Sequence, residues 1–147
     1  MSSLMGGEKH SIDSKGRVKI PARILRQLEN EGEETFVLTR GQDGCIFAYP
    51  ANEWKEVERK IRSLNQFEEK NRYFVRHFLM FSEEITLDPQ KRLILPKKLA
   101  DYAQISEEIT IVGVIDHIEF WNPKRFDEYL SKYDADYDKI SEEVMTR

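Results

Sequence analysis

Ile12-Asp13-Ser14-Lys15-Gly16-Arg17-Val18-Lys19-Ile20-Pro21 returns further along the chain as Leu87-Asp88-Pro89-Gln90-Lys91-Arg92-Leu93-Ile94-Leu95-Pro96. Four landmarks keep register: an apolar residue, then Asp, then Arg four residues later, then Pro four after that. Each landmark of the second copy lies 75 positions after its counterpart. One chain therefore carries two copies of a small unit, and each copy places a charged tip between apolar strands. Duplicated basic tips suit a ligand that is itself repetitive and charged, and nucleic acid is the leading candidate.

Outward from these tips, the local pattern changes period. Asp13 can bond its own backbone two residues on, and Gly16 supplies a positive φ. The alternation Arg17-Val18-Lys19-Ile20 marks a half-buried strand that Pro21 stops. A short helix is expected over 22–30, with Gly32 just beyond it. Strands are expected over 35–39 and 45–49, joined through Asp43-Gly44, a good hairpin signal. A helix capped by Asn52 should follow, with Trp54, Val57, Ile61 and Leu64 on one face. The segment 71–82 reads as a helix dense in aromatics, serving either a subunit interface or a shared intrachain core. Then the cycle restarts: strands over 85–87 and 92–95, a helix over 96–102, a hairpin of 109–114 and 117–121, and a helix opening at Asn122-Pro123. Tyr137, Ile140 and Val144 could continue that last helical face. The expected division is a first repeat over 6–66, a connecting aromatic helix with the second repeat over 71–133, and an acidic tail over 134–147.

Composition bounds the rest. The chain has 147 residues, 39% apolar and 34% charged, with a net charge of −4. That length suits one ordinary domain. The negative total argues weakly against a polyanion partner, but the charge is unevenly spread. Lys9, Lys15, Arg17, Lys19, Arg23 and Arg26 face only Asp13, and Lys91, Arg92, Lys97 and Lys98 face only Asp88, whereas the stretch from Asp127 onward is acidic. Local field matters more than the total for steering a polyanion. Cys45 is the single cysteine, so no internal disulfide is expected, and no Cys/His spacing suggests a metal. No signal peptide is evident, and no apolar stretch approaches the ~20 residues of a membrane span. A cytoplasmic location is expected. No nucleophile–base pair, phosphate loop or metal cluster appears, so neither a catalytic residue nor a cofactor is expected.

The first tip, from Ile12 to Ala22, resembles the start of an AbrB-type DNA-binding domain. Adding Leu38-Thr39-Arg40-Gly41-Gln42-Asp43-Gly44-Cys45-Ile46-Phe47, Tyr49-Pro50, Trp54, Asn71-Arg72-Tyr73-Phe74 and Asp116-His117-Ile118-Glu119-Phe120-Trp121, in this order, the chain resembles the MraZ family over 6–129. That resemblance implies an α+β fold of two AbrB-like swapped-hairpin half-repeats forming a small β-barrel, with short helices after each repeat. It implies a bacterial transcriptional regulator that assembles into rings, associates with the nucleoid and binds direct repeats in double-stranded DNA upstream of the division and cell-wall gene cluster. Carried over by position, the DNA-contacting arginines fall on Arg17 and Arg92, with Asp13 and Asp88 as motif acids. Two departures stand out: Lys91 where a Gly precedes the second Arg, and Leu4-Met5 where Met-Phe is usual.

Side-chain chemistry gives these positions separate tasks. A guanidinium fork can contact guanine O6 and N7 together, whereas an ammonium serves a phosphate. Arg17 and Arg92 are thus expected to reach bases, with Lys15, Lys19, Arg23 and Lys91 positioning the backbone. For Lys19 and Arg23 a merely solvated face is the alternative. Asp13 and Asp88 either cap their turns or orient the arginines. Lys91 lacks the freedom of Gly16, and Pro89 presets a turn, so the two tips are expected to differ in conformation. His10, His77 and His117 are spread too widely to form a metal site. Arg40 and Asp43 suggest a local ion pair. A competing reading is an antitoxin-like AbrB-type module whose C-terminal tail holds a partner protein; the doubled tip speaks against it.

Overall fold

The computed structural model describes residues 2–28 and 34–146. The first repeat contains β1 (Leu4–Ser11), β2 (Arg17–Lys19), α1 (Ala22–Arg26), β3 (Thr35–Arg40), β4 (Ile46–Pro50) and α2 (Ala51–Arg62), and α3 (Glu69–Met80) connects it to the second. The second contains β5 (Glu83–Thr86), β6 (Arg92–Ile94), α4 (Lys97–Ala103), β7 (Glu108–Ile115), β8 (His117–Trp121), α5 (Pro123–Tyr133), a 3-10 turn (Asp134–Asp136) and α6 (Tyr137–Met145). The helix expected over 22–30 ends early, at Arg26 with Gln27 as its C-cap; residues 29 and 30, and Gly32 after them, lie outside the described residues.

All strand pairings are antiparallel, and most cross from one repeat to the other. The strands β1 and β7 pair, as do β5 and β3, so each repeat lends its first strand to the other repeat's second hairpin. The strands β2 and β6 form a ribbon in which Val18 faces Leu93, its own counterpart 75 positions on. A pseudo-twofold therefore runs through that pair. It also relates the bond from Ile12 N–H to the Glu107 carbonyl with the bond from Leu87 N–H to the Glu34 carbonyl, both 2.8 Å. Hydrogen bonding gives one six-stranded sheet, ordered β1-β7-β8-β4-β3-β5, and the separate β2–β6 ribbon. The expected closed barrel is not formed among the described residues. The ribbon strands are three residues long and run into Pro21 and Pro96, which offer no N–H to extend a ladder.

The core sits between ribbon and sheet. Val18, Ile20, Leu93 and Leu95 pack with Ile24 and Leu99 of the two short helices and with Phe36, Leu38, Ile46, Ile111 and Phe120 of the sheet. Each repeat contributes about half of this cluster, and a three-residue ribbon cannot stand alone. The sequence suggests only a short strand over 10–13, whereas β1 begins at Leu4 and ends at Ser11. Its Gly6 stands opposite Gly113, where a Cβ would lie 2.7 Å from the Met5 backbone nitrogen. That close approach lets β1 pair along all eight residues. The Asp43-Gly44 reversal has positive φ at both residues, 61° and 83°, as a tight hairpin requires. Asn122 accepts from the backbone N–H groups of Lys124 and Arg125 and caps α5. Asn52 is not a cap, because α2 starts one residue earlier, directly after Pro50. The aromatic helix packs Phe78 against Trp54, yet leaves Tyr73 and Phe74 exposed. No helix of the described residues is long and apolar enough to cross a membrane.

Candidate nucleic-acid interface

Each tip is organised by its aspartate. Asp13 Oδ1 accepts from the backbone N–H groups of Lys15 and Arg17, both at 2.9 Å, and Oδ2 accepts from Arg17 Nε at 2.6 Å. Asp88 Oδ1 accepts from the N–H groups of Gln90 and Arg92, both at 2.9 Å, and Oδ2 from Arg92 Nε at 2.8 Å. The turn closes identically in each: Gly16 N–H to the Asp13 carbonyl and Lys91 N–H to the Asp88 carbonyl. Gly16 has φ 77° and Lys91 φ 64°. The expected difference between tips is thus overturned. The ribbon and the aspartate bonds impose one conformation, and Lys91 accepts a left-handed backbone that costs a side-chain-bearing residue roughly 1–2 kcal/mol. Pro89 lies within this turn without altering it.

The aspartates therefore do both jobs that the sequence left open: each caps its turn and holds its arginine. The backbone N–H of Arg17, followed by its side chain, keeps the Asp13 carboxyl below the usual carboxylate range despite some desolvation. Arg92 does the same to Asp88. With Nε engaged, the terminal Nη groups are the donors left to act beyond the tip. Arg92 Nη1 also lies 4.0 Å from Asp13 Oδ2, so the tips adjoin.

Cross-strand register fixes which way these side chains go. Arg17 stands opposite Ile94, and Lys19 opposite Arg92. Cross-strand partners share a face, and successive residues alternate. Val18 and Leu93 are sealed in the core, so Arg17, Lys19, Arg92 and Ile94 lie on the outer face. The side chains of Arg17 and Arg92 keep 28% and 26% exposure. That is ordered but open, as a surface contact requires. Lys15 and Lys19 are exposed beside them.

Two of the cations expected at the DNA backbone meet carboxylates of the chain itself. Lys91 is ion-paired with Glu34. Arg23 lies against β1, where its Nη2 donates to Glu8 Oε1 at 3.0 Å. Neither acid carries a local sequence signal; both meet their cations only through the fold. Ile94 was also missed, although it occupies the place of Lys19 in the second copy. It makes the outer face asymmetric, with an apolar residue (57% exposed) beside the Arg17 tip and a lysine beside the Arg92 tip.

The other candidates settle into structural roles. Cys45 is buried, and burial pushes its thiol well above the ordinary range. Arg40 does not pair with Asp43. It contacts His77 Nε2 at 2.6 Å and lies over the Tyr102 ring. His117 sits between Asp116 at 2.7 Å and Glu119 at 3.1 Å and packs on Phe47. Among the described residues no group of three or more His, Cys, Asp or Glu could hold a metal. A cavity of about 560 Å³ is walled by α2, α3 and the β3–β4 hairpin, with no tip residue in it.

Comparison with known proteins agrees with this duplicated layout. The family model described as MraZ protein, with the further words antitoxin-like, matches twice, over residues 3–77 and 78–147. A protein named Transcriptional regulator MraZ from Natranaerobius thermophilus is 42% identical over 141 residues, covering 96% of each chain. A protein of the same name from Pediococcus pentosaceus is 40% identical over 141 residues, again 96% of each chain. One from Halothermothrix orenii is 39% identical over 137 residues, 93% of each.

Proposed function

The chain belongs to the MraZ family, and on that premise we propose that it is a sequence-specific DNA-binding transcriptional regulator whose paired Asp-x-x-x-Arg tips read direct repeats. We read the exchange of first strands between repeats as the AbrB-like swapped hairpin. The observation that carries the proposal is the aspartate-held pair Arg17 and Arg92 on one outer face.

The chemistry follows from that geometry. A guanidinium fixed at Nε presents its remaining donors in a defined plane, which suits guanine O6 and N7 in the major groove. Prior fixation lowers the ordering cost of binding. Lys15 and Lys19 supply phosphate charge beside it. Lys91 and Arg23 serve the scaffold through Glu34 and Glu8, and contribute to the field more than to contact. Each tip alone binds weakly and with steep salt dependence. Several chains assembled in a ring would place tips along repeated sites and raise affinity through effective concentration. The target in this proposal is the promoter region of the division and cell-wall cluster that includes the chain's own gene.

The test is DNA binding to the segment upstream of that gene, against a scrambled duplex of equal length, at several salt concentrations. Arg17→Ala should erase the preference for the native segment. Lys15→Ala should weaken both duplexes alike and flatten the salt slope by about one. Equal effects of the two variants on preference would refute base reading by Arg17.

A further inference from the structure

The pseudo-twofold of the β2–β6 ribbon gives the two tips one backbone conformation. A strictly twofold outer face would offer a duplex the same groups in either direction. The side chains break that equivalence. Of the four residues on this face, Arg17, Lys19 and Arg92 are cationic and Ile94 is apolar. Ile94 stands opposite Arg17, in the position that Lys19 takes opposite Arg92. One tip therefore presents a guanidinium beside an apolar side chain, and the other a guanidinium beside an ammonium.

The ribbon also sets how close these groups stand. Leu95 N–H donates to the Gly16 carbonyl and Ile20 N–H to the Lys91 carbonyl, both at 3.0 Å. Gly16 with Leu95 and Ile20 with Lys91 are thus hydrogen-bonded pairs. Arg17 with Ile94 falls at the alternate, non-hydrogen-bonded position, where Cα atoms lie about 4.5 Å apart and side chains come closest. Arg17 Nε is held by Asp13 at 2.6 Å, which fixes the guanidinium relative to Ile94. Successive bases follow at about 3.4 Å along a strand. A guanidinium engaged on a guanine therefore brings the exposed Ile94 side chain to the edge of a neighbouring base pair. The apolar group that a base edge offers in the major groove is the C5-methyl of thymine.

We propose that Ile94 is a specificity residue that packs on the C5-methyl of a thymine next to the guanine read by Arg17. The proposal rests on the base reading by Arg17 given above, and adds to it a second base and a direction. With Ile94 at one tip and Lys19 at the other, the chain distinguishes the two orientations of its site. A direct repeat has such a polarity and a palindrome does not. The strand preference of a β-branched residue would also suit Ile94 to the ribbon, but it would not tie affinity to a methyl group on DNA.

The test compares three duplexes by fluorescence anisotropy at one fixed salt concentration: the native upstream segment, the same segment with every thymine replaced by deoxyuridine, and the scrambled duplex. Deoxyuridine keeps every hydrogen-bonding group of thymine and lacks only the methyl. The parent should bind the deoxyuridine segment roughly fourfold more weakly for each methyl contacted, the worth of one buried methyl-sized group. Ile94→Ala should bind both versions alike, at the parent's deoxyuridine affinity, because one contact is missing from either side; such non-additivity marks a direct contact. Ile94→Val keeps the strand preference and most of the apolar surface, and should keep most of the thymine advantage. Lys19→Ala should weaken both versions equally and leave their ratio intact. Circular dichroism would verify that each variant folds, and the comparison on the parent needs no variant. A parent that prefers the native to the scrambled segment yet binds thymine and deoxyuridine versions equally would overturn this proposal and leave the reading by Arg17 standing. So would a thymine advantage that persists undiminished in Ile94→Ala, which would assign it to DNA shape or to another residue. A parent that does not prefer the native segment at all would overturn the base reading itself.

Discussion

Gly16→Ala is the most informative small change at the tips. Gly16 has φ 77°, and nothing lies within 4 Å of where a Cβ would stand. The added methyl meets no neighbour, so its whole cost is conformational. A left-handed backbone costs a residue with a Cβ roughly 1–2 kcal/mol. Restricting the unfolded chain returns roughly 0.4–1 kcal/mol. The net expectation is a loss of about 1 kcal/mol, or roughly 2–4 °C in Tm at this chain length. Lys91→Gly is the mirror experiment. It removes a comparable strain at φ 64°, but it frees the unfolded chain by roughly 0.5–1 kcal/mol and deletes a half-exposed pair with Glu34 worth at most about 1 kcal/mol. Its net effect should be near zero. Urea and thermal unfolding at one fixed protein concentration measure both. A Gly16→Ala variant as stable as the parent, or more so, would refute the left-handed assignment of the tip and with it the equivalence of the two copies.

Three further outcomes follow from the same geometry. Gly113→Ala puts a Cβ 2.7 Å from the Met5 nitrogen; overpacking of this kind costs about 1–3 kcal/mol, and amide exchange should quicken along β1 first, whereas unchanged exchange would mean β1 is not held there. The Asp13 and Asp88 carboxyls are held low chiefly by the Arg17 and Arg92 backbone N–H groups. Their stabilisation is therefore present above the ordinary carboxylate value and lost as pH falls through the depressed one, so both clamps should persist until below about pH 4 by carboxyl NMR titration. A normal or raised midpoint would contradict the clamp. For His117, burial opposes the charge, but the hydrogen bonds to Glu119 and Asp116 outweigh it and raise the pKa. Its contribution to stability is complete below about pH 6.5 and lost as pH climbs through the raised value; His117→Gln should flatten stability across that window, and an imidazole midpoint below 6.5 would contradict the arrangement.

The repeat and its landmarks were legible because local chemistry sets them: aspartate turns, a strand of alternating residues, Pro stops and the Asn122 cap. Most elements stand within a few residues of their expected places for the same reason. The conformation of the second tip was misread because residue type was weighed above context. A glycine preference is a matter of about 1 kcal/mol, and a ribbon pairing plus three aspartate bonds outweighs it. Strand exchange between repeats, the length of β1 through Gly113, and the capture of Lys91 by Glu34 and of Arg23 by Glu8 all join distant parts of the chain. No local pattern encodes such contacts. The tip residues could be nominated from the sequence, but the shared outer face depended on the Val18–Leu93 register.

The decisive measurement is the DNA preference of Arg17→Ala, Arg92→Ala and Arg17→Lys on the native upstream segment and its scrambled counterpart, titrated in salt. Loss of discrimination in all three, with Arg17→Lys still binding through charge, is the expected result. Retained discrimination in Arg17→Lys or in both alanine variants would show that these two guanidinium groups do not read bases.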